Sequence, residues 1–441
     1  MGDKVNKIEN PINHKEIFFI GLAFFATYFG AGNLIFPPIL GLQTGNLWIT
    51  GVAGLTTSGI ILPIVALIML GYAGSVHAIA VHVHEKFATI IVGAIMIFAS
   101  LVSIPRTGAV GIELGLQSIF SNAPYVAAIA VYFAFVLYFS YKKESVLDKI
   151  GKYLTPIMVI GLLIVVIRGV MNPVGTPQTT GIQSPFVNSF LGGYQTGDLL
   201  VSFMMADFFL NTCREKGYTS KKQLGKVNAM ACVVAFFCLL IIYGGLYYLG
   251  AGASGQYPET VGMTELLIEI ITRVGGNFLM GILGVAVVLA CLTTAIGQVS
   301  AVSDFFQRES KGKLSYKYLV IGVSILALLM ASIGVDKIVK FTNPLFTALY
   351  APLLGLTVLG FLSKWIPNDG FYKGSILLTS VYSISEAFNQ FTGSSIGFLN
   401  SFVTQMPLAS QGFGWIIPFV VGFIIGGILY PRMSANQASV N

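Results

Sequence analysis

Residues 28–38 read Tyr28-Phe29-Gly30-Ala31-Gly32-Asn33-Leu34-Ile35-Phe36-Pro37-Pro38. Two glycines around a small residue, an amide side chain and a proline pair all weaken a helix. Yet the stretch lies in a run, from residue 17 to residue 84, that holds no Asp, Glu, Lys or Arg. As one helix that run would be about 100 Å long at ~1.5 Å per residue, against a hydrocarbon core of ~30 Å. It must fold back at least once, so the chain is a polytopic membrane protein. Composition agrees. The 441 residues are 55% hydrophobic and 10% charged, with 25 Lys+Arg and 18 Asp+Glu, where a soluble domain carries about a quarter charged residues. Disorder, coiled coil and an ordinary soluble enzyme are excluded on that balance. Alternation of polar and apolar residues is missing over most of the chain, which argues against an outer-membrane barrel.

Further uncharged stretches cover 114–141, 169–197, 227–258, 274–303 and 387–431. The turn signals between them predict an all-α protein of twelve spans, near 17–42, 47–71, 87–119, 123–141, 153–171, 191–212, 227–250, 276–305, 316–335, 338–362, 374–396 and 413–431. The third and eighth are long enough to cross at a steep tilt or to project into water. With the N-terminus inside, only Arg168, Arg273, Lys337 and Lys340 fall on the outer side, and Arg106 is left within a span. All other basic residues, among them Lys4, Lys7, Lys143, Lys149, Lys152 and Arg432, fall on the inner side. That asymmetry predicts both termini in the cytoplasm. It also accounts for the net charge of +7, with no nucleic-acid partner implied. The opening apolar run is too long for a cleaved secretory signal.

Lipid offers a backbone no hydrogen-bond partner, so a helix break at mid-depth is tolerated only where the freed groups face protein, water or a ligand. The stretch around Gly30 and Gly32 predicts one break in the first span. A close helix–helix contact is the competing explanation of its glycines. The sixth span opens on Leu191-Gly192-Gly193-Tyr194-Gln195-Thr196-Gly197-Asp198, a second break. Each break heads a block of five spans, residues 17–171 and 191–362, and each block has its longest span third. Because five is odd, the second block runs through the membrane in the opposite sense. That is the pattern of an inverted repeat with a binding site between two broken helices. Residues 374–431 then form two further spans, with inner tails at 1–16 and 432–441.

Charges within spans are costly, by ~2.5–3.5 kcal/mol on the mildest scale, and are therefore candidates for function. Arg106 and Glu113 lie seven residues apart in the third span and so face the same way. A structural ion pair or snorkelling competes there with substrate contact. Asp198 follows the second break. Asp207 sits nearer the inner end, and Glu386 lies outside the repeat. In the eighth span Thr293-Thr294 either bond back to carbonyls one turn earlier or supply neutral oxygens to a hard cation. Cys213, Cys232, Cys238 and Cys291 show no paired spacing and read as small buried residues. His77, His82 and His84, with Glu85 the only nearby acid, read as an interfacial loop rather than a metal tract.

These motifs carry a resemblance. The stretch 29–38, with Ile104-Pro105-Arg106-Thr107, 193–198, Glu386-Ala387-Phe388 and Pro407-Leu408, resembles the branched-chain amino acid:cation symporter family (BrnQ, or LIVCS) essentially end to end. Gly197 departs from the methionine expected at that place, which bears on the shape of the sixth-helix break. The resemblance implies a LeuT-like fold and import of leucine, isoleucine and valine across the cell membrane, coupled to sodium or, in some members, to protons. No organic cofactor and no enzymatic activity are implied. It further implies that the N–H groups of Ala31 and Gly32 receive the substrate carboxylate, within a substrate site of Phe29, Gly30, Ala31, Gly32, Asn33, Gly193, Tyr194, Thr196 and Asp198. The carbonyls of Ala26 and Phe29 and the hydroxyls of Thr293 and Thr294 would enclose sodium, and Arg106 and Glu113 would be structural or gating groups. Phe29, Tyr194 and Phe203 are candidate walls for an aliphatic side chain. A carrier of the same fold for another amino acid or a nucleobase, and a passive channel, are the rival readings. The oligomeric state is not fixed by the sequence.

Overall fold

The computed structural model describes residues 12–142 and 146–430, with side chains left out over 146–158. Among the inner basic residues, Lys4, Lys7, Lys143 and Arg432 therefore lie outside the described residues, as do the side chains of Lys149 and Lys152. Most of the two tails lies outside them as well. The described secondary structure is helical. Helix α1 (His14–Tyr28) and α2 (Ala31–Thr44) are separated by Phe29 and Gly30 in extended conformation. A short turn leads to α3 (Trp48–Thr56), which widens over Thr57–Ile61 and continues as α4 (Leu62–Ala73). The short α5 (Val76–Ala80) follows. Helices α6 (Phe87–Phe98) and α7 (Ile104–Val110) form one run with wide turns at Ala99–Ser103 and Gly111–Leu116. Next come α8 (Tyr125–Lys142), α9 (Val146–Met171) and α10 (Pro185–Tyr194). After a second interruption, α11 (Asp198–Met204) and α12 (Ala206–Glu215) lead to α13 (Lys221–Gly252). The rest is α14 (Met263–Glu309), α15 (Tyr316–Ala331), α16 (Val335–Leu362), α17 (Gly370–Phe391), α18 (Gly397–Thr404) and α19 (Ile416–Leu429).

Six helical runs among the described residues are long and apolar enough to cross a membrane: Ala31–Ala73, Phe87–Leu116, Tyr125–Lys142, Lys221–Gly252, Met263–Glu309 and Val335–Leu362. Large apolar side chains such as Ile49, Ile90, Phe278 and Phe398 are exposed. That is an outward surface suited to lipid rather than water.

The helix starts follow local chemistry. Asn13 accepts from the Lys15 N–H, Ser75 from that of Ala78 and Ser220 from that of Gln223, each satisfying an orphan donor of a first turn. Pro185 opens α10, where its missing N–H is not needed. The sixth span thus begins before the predicted residue 191, and the glycine-rich stretch lies inside it rather than at its head. Pro37 and Pro38 lie within α2, which continues past them as the predicted 17–42 span does. Their helix is held from outside. Backbone meets backbone where Gly41 faces the Tyr247 carbonyl and Gly250 faces that of Pro38, with no room for a Cβ at either glycine. Helix α14 begins before the predicted residue 276, but Gly276 itself is non-helical (φ 71°) and divides a first segment from the long run beyond it.

Two apolar clusters form the core. One gathers α1, α2, α13 and much of α14, and the other gathers α4, α11, α16 and the start of α17. The first break belongs to one cluster and the second break to the other, so a polar seam runs where the clusters meet. At the end of the chain α17 and α19 pack through glycines. Gly370 meets Gly426 and Gly374 meets Gly422, each facing the other's carbonyl with no space for a side chain. His82 Nδ1 lies 2.8 Å from Asp369 Oδ1 and its ring stacks on Tyr372, tying the segment after α5 to the start of α17.

Candidate functional site

The α1–α2 break leaves backbone groups free. The carbonyls of Ala26 and Phe29 accept no backbone hydrogen bond among the described residues. Ala31 and Gly32 head α2, where first-turn N–H groups have no partner within the helix. Asn33 spans the gap: its Nδ2 donates to the Tyr28 carbonyl (3.1 Å) and to both oxygens of Asp198 (2.9 and 3.1 Å). The second break is made by Gln195, Thr196 and Gly197. Gly197 is left-handed (φ 83°), a conformation costing a side-chain-bearing residue roughly 1–2 kcal/mol. The glycine there suits the shape of this break, where a methionine would be strained.

Asp198 heads α11 and is 1% exposed. Besides Asn33 it accepts from the Tyr243 hydroxyl at 2.7 Å. The two broken helices and α13 are thereby joined through one carboxylate. Tyr28 and Ser202 add a second bridge, their hydroxyls 2.8 Å apart.

Arg106, on α7, is also buried. Its Nη1 donates to the Gln195 carbonyl at 2.7 Å and its Nη2 to that of Thr196 at 3.4 Å. The guanidinium carbon lies 5.7 Å from the ring centre of Phe36 and 5.6 Å from that of Phe346. A Cβ on Gly32 would fall 2.9 Å from Arg106 Nη2 and 3.0 Å from the Thr196 carbonyl. The start of α2 and the sixth-helix break therefore face each other across one guanidinium. Among the described residues neither Asp198 nor Glu113 lies within ion-pairing distance of it.

Two small cavities lie near the breaks. One, of about 10 Å³, is lined by Phe29, Gly30, Ala31, Thr107, Cys291 and Thr294 among others, which is the room of one water. The other, of about 30 Å³, lies between Ser103, Arg106, Thr196 and Gly197.

The model of the branched-chain amino acid transport protein family matches residues 13–433. The chain belongs to that family. The branched-chain amino acid permease BrnQ of Bacillus subtilis is 33% identical over 437 residues, covering 96% of this chain and 98% of the relative. BrnQ of Escherichia coli is 27% identical over 442 residues, covering 98% and 99%. Among solved structures, Mhp1 in its inward-facing conformation aligns with a TM-score of 0.62 at 14% identity, over 96% of this chain and 93% of that one. The fold is accordingly that of the LeuT-like transporters, and this family member is a membrane-embedded carrier rather than an enzyme.

The remaining candidate residues lie in different parts of the bundle. Thr293 and Thr294 both donate to the Ala290 carbonyl at 2.9 Å. Thr294 lines the 10 Å³ cavity beside Phe29. Thr293 instead lines a separate apolar cavity of about 630 Å³ with Ile112, Leu116, Val131 and Phe135. Glu113 does not pair with Arg106, although the spacing puts them on one face. The wide turn at Gly111–Leu116 shifts the register between them. Its oxygens accept from the Val335 N–H at 2.9 Å and the Thr264 hydroxyl at 2.7 Å, capping α16. Tyr194 stacks on Tyr350 with ring centres 4.0 Å apart and belongs to the second cluster, as does Phe203. Gly193 packs where the Ser58 hydroxyl leaves no room for a Cβ. Phe29 stacks on Phe25. Asp207 is exposed, Cys213, Cys232 and Cys291 are buried and Cys238 half-buried.

Sequence reasoning missed Tyr243 and Phe346. A tyrosine within an apolar span was the available signal for the first, since a buried phenol needs a partner.

Proposed function

We propose that this chain is a secondary importer of leucine, isoleucine and valine, coupled to sodium by alternating access. In this reading twelve spans, both termini cytoplasmic, place the chain in the cell membrane. Residues 17–171 and 191–362 form a five-plus-five inverted repeat with breaks in its first and sixth helices, and 374–431 add two spans. The observation that carries the reading is the facing of the two breaks across Arg106, in a chain whose relatives are branched-chain permeases.

A zwitterion fits that pair of helix ends. The N-terminus of α2, at Ala31 and Gly32, suits a carboxylate through its free N–H groups and helix dipole. The carbonyls of Gln195 and Thr196 suit an ammonium. Gly32 lets the two breaks approach closely, Gly30 and Gly197 shape the breaks and Gly193 packs on Ser58, Asn33 and Asp198 hold the helix ends in register, and Tyr194 with Phe29 flanks the apolar side. Burying an aliphatic side chain there contributes ~0.8 kcal/mol per methylene. Neither small cavity admits an amino acid, so binding requires the seam to part.

Sodium is cargo in this scheme. Its proposed ligands are the carbonyls of Ala26 and Phe29 and the hydroxyls of Thr294 and Thr293. Thr294 gives its proton to Ala290, which leaves its oxygen free to accept a cation. The 10 Å³ cavity beside it has the size for a bare ion. Asp198, already holding three donor contacts, is better placed as a clamp than as a proton carrier. A tenfold sodium gradient with ~100 mV supplies roughly 3–4 kcal/mol per ion, enough to drive import.

Labelled isoleucine uptake into proteoliposomes tests this. Accumulation is expected with an imposed sodium gradient and not with potassium on both sides at matched pH. Thr294→Ala should raise the sodium concentration for half-maximal uptake at least tenfold, about 1.4 kcal/mol, and Thr293→Ala should raise it less. Accumulation driven only by a pH gradient would move the coupling to a carboxylate, with Asp198→Asn the next variant. No uptake by intact protein under either gradient would overturn the assignment.

A further inference from the structure

The carbonyls that suit a substrate ammonium already hold a cation. Arg106 reaches them from α7, is 4% exposed, and has no carboxylate within ion-pairing distance among the described residues. Its compensation comes from the Gln195 and Thr196 carbonyls and from the faces of Phe36 and Phe346. Taking a guanidinium out of water is costly, and the buried carboxylate that acts on it from beyond contact distance, Asp198, is already held by Asn33 and Tyr243. A second anion has an obvious place. Gly32, at the head of α2, lies so near Nη2 that only a hydrogen fits between them. A carboxylate received by the first-turn N–H groups of α2 would therefore meet the guanidinium as well.

We propose that Arg106 is a tethered cation that occupies the ammonium position of the substrate site and becomes the carboxylate's partner when substrate enters. This rests on the amino-acid importer reading and adds to it a positioning residue and a ligand preference. An incoming zwitterion exchanges one cation for another at the Gln195 and Thr196 carbonyls, while its carboxylate draws the guanidinium toward α2. A ligand with a carboxylate and no ammonium leaves Arg106 on the carbonyls and still gains the anion contacts. A ligand with an ammonium and no carboxylate must displace Arg106 and gives it nothing in return. The site should therefore take branched-chain 2-oxo acids and refuse branched-chain amines.

The test is equilibrium binding of labelled isoleucine to the full-length wild-type protein in sodium buffer, with two competitors. 4-Methyl-2-oxopentanoate is expected to compete with an inhibition constant within about tenfold of isoleucine's own dissociation constant. 3-Methylbutylamine is expected to be at least a hundredfold weaker. Amine competition equal to or stronger than that of the oxo acid would overturn the proposal while leaving the importer reading intact. Equal failure of both competitors would also overturn it. Absence of isoleucine binding by the intact wild type would sink the importer reading and this proposal with it.

Arg106→Ala supplies a second readout. Guanidinium chloride at millimolar concentration, against a sodium chloride control, should raise its melting temperature and leave wild type unmoved. It should also weaken isoleucine binding to the variant about tenfold at ten times its own dissociation constant. Stabilisation without that competition would make Arg106 a structural brace outside the ammonium position. If Arg106→Ala does not fold, the wild-type competition order decides alone.

Discussion

Asp198 and Asn33 were both legible at the level of single residues, because polar groups beside a glycine-rich break need partners in lipid. Their partnership was not legible, since 165 residues separate them and nothing in either motif names the other. Tyr243 was hidden for a different reason: one phenol in an apolar helix looks like any core aromatic until its hydroxyl is found 2.7 Å from Asp198. Arg106 was conspicuous, but its partners are backbone carbonyls, which leave no mark in a sequence beyond the break that frees them. Removing the carboxylate in Asp198→Ala strands the Asn33 and Tyr243 donors in a buried site. Each unsatisfied group costs about 1–3 kcal/mol, so the variant should unfold at clearly lower temperature in detergent and lose uptake. Asp198→Asn keeps one acceptor and should lose roughly half as much stability. A melting temperature for Asp198→Ala equal to wild type would show that the clamp contributes nothing.

Whole helices were read mainly from runs of uncharged residues, and that signal worked where an element is apolar throughout. It failed where a helix carries charge. The first part of α14 holds Glu265, Glu269 and Arg273 and read as a connection, and α18 was not anticipated at all. The proline pair lies inside a helix that continues past it. Packing of α2 against α13 through Gly41 and Gly250 sustains a helix that local propensity would end. That contact and the Gly374–Gly422 seam give a matched pair of tests. Gly250→Leu and Gly422→Leu both force helices apart, at a cost of about 1–3 kcal/mol each. Only the first disturbs an element of the seam, so Gly250→Leu should abolish uptake in membranes. Gly422→Leu should lower the melting temperature yet keep the Michaelis constant for isoleucine within twofold. Equal losses of uptake in both would show that α17 and α19 are coupled to transport.

For the molecule as a whole, the charge-free runs made an all-helical membrane protein legible, and the likeness to Mhp1 supports the same fold. What the sequence withheld was the division of the core into two clusters, because long-range packing has no local signature. Orientation is open to direct measurement. With the native cysteines replaced, a cysteine at Lys311, between α14 and α15, should react with a membrane-impermeant maleimide only from the cytoplasmic side. One at Gln256, between α13 and α14, should react only from outside. The reverse pattern would invert the assigned topology.

The two small cavities near the breaks differ in size, but neither holds more than a few waters. A carrier lives on a gradient that it must not dissipate, and the easiest leak is a file of water along which an ion or proton can slip unaccompanied. A guanidinium wedged between the breaks, with the rings of Phe36 and Phe346 beside it, would interrupt such a file there. On the proposed reading, the side chain that holds the ammonium position would double as an electrical insulator. In an ion-coupled importer of the kind proposed, the tightness of that insulation, as much as affinity for cargo, would set how many ions are spent for each amino acid carried.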